Sequence, residues 1–285
     1  MPRKRRKNHS LYVVTPFLVL AAVATGVGVS KVRGNEAEIL TEEALAPEVV
    51  ARTETPPPPA KPNQREWTYK LPERFRGITI SSVNPRNGAK MVALTFDDGP
   101  WPTYTDQVLD ILKRENVKAT FFLIGRQIAP YRKMTQRIHD EGHQLANHTW
   151  NHKYRMTADQ VVFEMDSTDR AIKEVIGKTP PYFRPPGGFL NNGLAARAKG
   201  RGDVVVMWSI AVNDTAKNSS ADTIYNSAIR AQNGGIILLH DGGGNRKTTV
   251  AALPRIIAHF KKNGYKMVTL EELLENSDPV TRSGR

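Results

Sequence analysis

The sequence predicts an α/β domain built on a parallel sheet, either open or closed into a barrel. Three observations point there. From residue 91 onward, short apolar runs alternate with amphipathic stretches of helical period. The runs have the length and continuous apolarity of strands buried on both faces. Polar residues of chemical interest recur at the ends of these runs, where parallel sheets collect their sites.

Four segments precede that domain. Residues 1–10 hold Arg3, Lys4, Arg5, Arg6 and Lys7, five of the positive charges behind a net charge of +13. Residues 11–30 contain no charge and are long enough to span a bilayer core. The heavier basic flank predicts a cytoplasmic N-terminus and an exported remainder, a single-pass protein of the cell membrane. Ala22-Val23-Ala24 has the small-residue pattern of a cleavage site but lies inside the apolar run. An uncleaved anchor is therefore the favoured expectation, with secretion after cleavage as the alternative. Residues 31–69 lack periodicity and include Pro56, Pro57, Pro58, Pro59 and Pro62, which predicts a disordered, extended stalk. Residues 70–90 are a lead-in, 91–275 the main domain and 276–285 a flexible tail.

Hydrophobic content of 39% and charged content of 24% fit a globular domain with a polar extension. The absence of cysteine excludes a disulfide framework and a Cys-ligated metal. A basic arm raises nucleic acid as a partner, but its junction with an apolar span favours a membrane, so no nucleic acid is expected. A monomer is expected.

Within the main domain, residues 91–94 open the first strand and Gly99-Pro100 stops it. Val108, Ile111 and Leu112 recur at helical spacing within 103–116. Residues 119–125 read as the next strand, 127–141 as a helix closed by Gly142, and 143–147 as a short strand. A longer helix covers 157–177, with Thr157 and Gln160 placed as a capping box. Tyr182-Phe183, 204–212, 235–240 and 266–269 supply further strands, and 221–232 and 250–263 further helices.

Asp97 and Asp98 end the first strand as adjacent carboxylates. They repel unless one charge is offset, which a metal ion does, although a plain turn also favours Asp and Gly. His148 and His152 are four residues apart, and on a helical turn that spacing puts both rings on one face. An Asp with two His makes a three-ligand set with an open position for water. Arg184, Asp214 and His240 also fall at or just beyond strand ends. Taken alone, Arg184 would suit a surface ion pair and His240 a satisfied polar residue.

Together, Thr95-Phe96-Asp97-Asp98-Gly99-Pro100, His148-Thr149-x-x-His152, Arg184-Pro185-Pro186-Gly187-Gly188 and Leu238-x-His240 resemble the successive motifs of NodB-like polysaccharide deacetylases, carbohydrate esterase family 4. The resemblance spans roughly residues 91–274. It implies a distorted (β/α) barrel of about seven strands and metal-dependent hydrolysis of N-acetyl groups on an N-acetylated polysaccharide. Asp98, His148 and His152 would bind a divalent metal, usually zinc. Asp97 would be the general base, oriented by Arg184, and His240 the general acid, held by Asp214. Leu238 would line the pocket for the acetyl methyl, and Gly187 would offer a backbone N–H to the carbonyl oxygen. These roles suit the chemistry, since amide hydrolysis needs a polarised carbonyl, a sharpened nucleophile and a protonated leaving amine.

The chain departs from the family pattern at Ala211, where an Asp is frequent, at Thr215 in place of Trp, and at Gly187 in place of Tyr. Trp101 and Trp150 are candidates to supply apolar surface instead. The anchor and stalk point to an envelope glycan, peptidoglycan first, with chitin oligosaccharides, exopolysaccharide or O-acetylated xylan as alternatives. The departures also motivate another class, a glycan-binding module without turnover.

Overall fold

Strands form where the apolar runs fall. In a computed structural model of the chain, residues 69–280 are described. Expectations for residues 1–68, including the membrane segment and nearly all of the stalk, lie outside the described residues, as does the end of the tail. Among the described residues no helix is long and apolar enough to cross a membrane. Two short strands, β1 (Thr79–Ile80) and β2 (Val83–Pro85), precede β3 (Met91–Asp97). Then come α1 (Tyr104–Arg114), β4 (Thr120–Leu123), α2 (Gly125–Ile128), α3 (Arg132–Asp140), β5 (Gln144–Asn147) and α4 (Ala158–Ile176). They are followed by β6 (Tyr182–Phe183), α5 (Leu194–Gly200), β7 (Val204–Val206), β8 (Ile210–Ala211), α6 (Ala221–Ala228) and β9 (Ile236–His240). The last elements are α7 (Lys247–Lys262), β10 (Lys266–Val268), α8 (Leu270–Glu275) and β11 (Ser277–Pro279).

Nine strands form one sheet in the order β1-β7-β6-β5-β4-β3-β9-β8, with β10 paired to the start of β3. Every pairing in it is parallel. The connection between β7 and β8 forces this sheet to curl. Six strand spacings would separate them by about 29 Å in a flat sheet, yet four residue steps span at most about 14 Å. The chain hands over from one edge to the other within that link. Met207 N–H donates to Ile80 O at 2.7 Å, and Ser209 N–H donates to Ile236 O at 2.9 Å. The run 204–212, expected as one strand, is therefore two. With β1 from the lead-in, this takes the sheet beyond the expected seven strands.

Every residue of β3 is buried. Val92, Leu94 and Phe96 pack with Leu109 and Leu112 of α1 and Leu253 and Ile257 of α7. Met91 and Ala93 instead join Phe122, Val206 and the α8 residues Leu270, Leu273 and Leu274. Each fully buried side chain of this kind contributes about 1.5–3 kcal/mol, so both faces resist a register slip. Side chains alternate along a strand, which puts Thr95 and Asp97 on the face of Met91 and Ala93. Since α8 closes the start of β3, the Asp97 end is left for chemistry.

Two further sequence expectations change and one holds. The helix expected at 127–141 is broken into α2 and α3 around Pro130, whose ring and missing N–H interrupt a helix. Helix α4 has the expected capping box, and Gly177 ends it at φ 75°. The tail expected from residue 276 begins as β11, antiparallel to β2, and Arg74 and Arg86 hold the backbone that leads into it, at Leu274, Asn276 and Ser277.

Candidate active site

Asp97 ends β3, and its register partner across the sheet is His240, the last residue of β9. Paired positions in adjacent strands present their side chains to the same face, so the two flank one cavity. Asp98 follows with φ 74°, a left-handed conformation unusual for a residue with a Cβ. This turn defeats the normal alternation and lets both carboxylates line the cavity, whose volume is ≈ 1170 Å³. The next residue must be glycine, since a Cβ on Gly99 would sit 2.4 Å from Asp241 Oδ2.

His148 and His152 converge on Asp98, but not by the helical turn expected from their spacing. The loop after β5 instead places Thr149 at φ 70° and His152 at φ 60°. Side chains stitch that shape together. Thr149 N–H donates to Asn147 Oδ1 at 2.8 Å, and His152 N–H to Thr149 Oγ1 at 3.1 Å. Asn151 donates through its backbone and side chain to both oxygens of Glu164, at 2.6 and 2.8 Å. Glu164 is buried on α4 and was missed in the sequence. The available signal was a carboxylate at helical spacing among the buried residues Val161, Met165 and Thr168.

His148 Nδ1 lies 2.8 Å from Arg184 O. A carbonyl only accepts, so Nδ1 carries the hydrogen and Nε2 keeps its lone pair. Burial, reinforced by His152, pushes the ring's pKa down to about 3, so it is neutral. His152 Nε2 is 3.3 Å and His148 Nε2 3.7 Å from Asp98 Oδ1, a buried oxygen with no hydrogen-bond partner. Donor atoms of Asp98, His148 and His152 all lie within 4.8 Å of one another. An orphaned carboxylate oxygen facing two imidazole nitrogens is a set of donors that fits a divalent metal.

Arg184, with no exposed surface, is no surface ion pair. Its Nη1 donates to Asp97 Oδ1 at 2.6 Å and to Thr95 Oγ1 at 3.0 Å. Nε and Nη2 donate to Val206 O and Met207 O, at 3.0 and 3.2 Å. The guanidinium also lies 4.1 Å from the centre of the Phe122 ring. Burial drives the Asp97 carboxyl above its ordinary range, while Arg184 and His240 oppose the rise. The short charge-assisted bond to a group that stays protonated keeps the carboxylate ionised at neutral pH.

Asp214 grips His240 twice, with Oδ1 2.8 Å from the ring Nδ1 and Oδ2 accepting the backbone N–H at 2.8 Å. Thr249 Oγ1 adds a third bond to Oδ2 at 2.8 Å. Burial alone would lower the imidazole pKa, but the bond and charge of Asp214 more than offset it and raise it. Those same bonds, against burial, hold Asp214 below its ordinary value. The departures at Ala211 and Thr215 thus leave the Asp214–His240 pair intact.

Leu238 lines the cavity two residues before His240, on the same face of β9. Gly187 has φ 61°, and a Cβ there would meet Phe189 at 2.9 Å and Tyr154 at 3.1 Å. These two aromatics occupy the neighbourhood where the family often has Tyr. Trp101 and Trp208 line the cavity, whereas Trp150 packs edge-on against Phe163.

The family model of polysaccharide deacetylase matches residues 84–203, which hold Asp97, Asp98, His148, His152 and Arg184. A peptidoglycan-N-acetylglucosamine deacetylase of Bacillus cereus is 43% identical over 192 residues, 66% of this chain and 90% of that protein. This chain belongs to the polysaccharide deacetylase family. The deacetylase is also similar to a crystal structure of a peptidoglycan N-acetylglucosamine deacetylase, with TM-score 0.66 and 35% identity over 72% of this chain and 95% of that one. Another neighbour is a pseudoenzyme of the same family from Bacillus anthracis, with TM-score 0.63 and 28% identity over 70% of each chain.

Proposed function

We propose that this polysaccharide deacetylase hydrolyses N-acetyl groups of peptidoglycan, releasing acetate and leaving a free amine on the sugar. The register pair Asp97–His240, flanking the Asp98, His148 and His152 donor set, is the observation that supports it most directly. The Bacillus cereus relative directs the choice of glycan. An uncleaved anchor at residues 11–30 and the stalk after it would hold the domain within reach of an envelope polymer.

Asp98, His148 and His152 would hold a divalent ion, zinc by the nitrogen-rich ligand set, which would supply Lewis-acid polarisation and a lowered pKa for water. Asp97 takes the proton of the attacking water. Its raised pKa makes it a stronger base, and Arg184 fixes which oxygen faces the cavity. His240 gives a proton to the departing nitrogen as the C–N bond breaks, and Asp214 holds the ring for that transfer. We assign Leu238 to the acetyl methyl and the Gly187 N–H to the carbonyl oxygen.

The test is acetate release by the full-length protein from N-acetylglucosamine oligomers and from peptidoglycan, after chelation and after zinc reloading. Release that returns with zinc and is abolished in Asp97→Asn and His148→Ala is the expected result. Metal-bound protein that releases no acetate from any of these glycans would overturn the assignment and leave a binding module.

A further inference from the structure

The cavity is charged in a way that hydrolysis does not require. Its acidic lining is Asp97, Asp98 and Asp214, each already engaged in the site. Its basic lining is Arg126, Lys217, Arg246 and Lys247. Lys217 follows β8, and Arg246 and Lys247 follow β9, so three of the four cations stand on one flank of β3. The opposite flank, built after β5 and β6, presents Tyr154 and Phe189, whose rings are 5.3 Å apart and 51% and 47% exposed.

Arg246 is the decisive member. It is 6% exposed, and Nε donates to Gly242 O at 2.7 Å and Nη1 to Asn245 O at 3.4 Å. Among the described residues no carboxylate pairs with it, and none pairs with Lys217 or Lys247. The buried guanidinium has given up hydration without gaining an ion pair. Arg246 is also the residue preceding α7, a sixteen-residue helix whose positive end adds to the local field.

We propose that Arg246, Lys247 and Lys217, with the N-terminus of α7, form an anion subsite for a carboxylate carried by the sugar next to the one being deacetylated. This rests on the deacetylase reading above and narrows its substrate to acid-bearing glycan. A neutral homopolymer would present the same groups to both flanks. A strand with an acid on alternate sugars matches one apolar and one cationic flank, because its apolar ring faces and its carboxylates can be sorted between them.

The test measures equilibrium binding to zinc-loaded, full-length Asp97→Asn protein, so that no turnover is needed. The probes are peptide-free peptidoglycan strands bearing lactyl carboxylates and the same strands with those carboxylates converted to amides. The carboxylate strands should bind about tenfold more tightly, as charge-assisted contacts would give. That ratio should shrink as salt is raised from roughly 0.05 to 0.5 M. Adding Lys217→Gln and Lys247→Gln should bring the ratio toward one. Arg246→Gln should do the same and Arg246→Lys partly restore it. Equal affinity for the two strands, or equal weakening of both in the double lysine variant, would overturn the subsite. Hydrolysis could still stand in that case, because turnover of neutral oligomers by the unmodified protein reads it separately.

Discussion

Two carboxylate–cation pairs flank the same cavity, and burial, which pushes both carboxyls' pKa up, prevails in one and is overcome in the other. In Asp97–Arg184 both partners are almost wholly enclosed, and the loss of hydration outweighs the ion pair, raising the carboxyl's pKa. In Asp214–His240 the imidazole reaches the cavity, and three hydrogen bonds to the carboxylate outweigh burial. The result is a carboxylate made more basic beside an imidazole made less acidic. Similar ion pairs are thus tuned for opposite proton traffic by how many bonds each carboxylate accepts.

Breaking the enclosed pair should have the largest effect. Arg184→Met leaves the Asp97 carboxyl buried without its cation, and unfolding by denaturant should show a loss of about 3–5 kcal/mol. A loss no greater than that of Asp214→Asn would erase the contrast between the pairs. Next comes Asp214→Asn, which should lower turnover by on the order of 10²–10⁴-fold through loss of a competent acid. It should also move the alkaline limb of the pH–rate profile to lower pH, since His240 acts protonated and loses the charge that raises its pKa. An alkaline limb that does not move would remove Asp214 from the role of tuning His240.

The acidic limb sharpens the other side. Asp97 acts ionised, so activity falls as pH drops through its pKa, and the raised value places this limb above the usual Asp range near 4. Asp97→Glu should shift or flatten that limb while Asp214→Asn leaves it in place. The smallest effect expected is from Thr249→Val, which removes one of three bonds to Asp214 and should cost about 1 kcal/mol in stability. A cost of several kcal/mol there would mean that the bonds do not share the work.

The sequence made the ends of β3 and β9 legible, because these mainly apolar runs stop at Asp97 and His240. The capping box of α4 was legible for the same reason, being local. What it concealed was set by distant contacts. Met207 and Ser209 sit in a run of strand-like residues, yet one pairs toward β1 and the other toward β9. The His148–His152 spacing suited a helical turn, but the loop is shaped by Asn147, Thr149 and Glu164, and Glu164 arrives from α4. The family resemblance implied that Arg184 pairs with Asp97, but no local pattern reveals the Val206 and Met207 carbonyls that also receive it.

The register between β3 and β9 has a consequence for how such a protein diversifies. Asp97, Leu238 and His240 belong to strands locked by packing on both faces, while Tyr154, Phe189, Thr215, Lys217 and Arg246 belong to the loops that follow strands. Yet Asp98, His148, His152 and Asp214 stand in these same loops, with Tyr154 two residues after His152 and Lys217 three residues after Asp214. Single substitutions within a loop can therefore redirect the polymer that is chosen, whereas exchange of a whole loop would remove part of the reaction machinery.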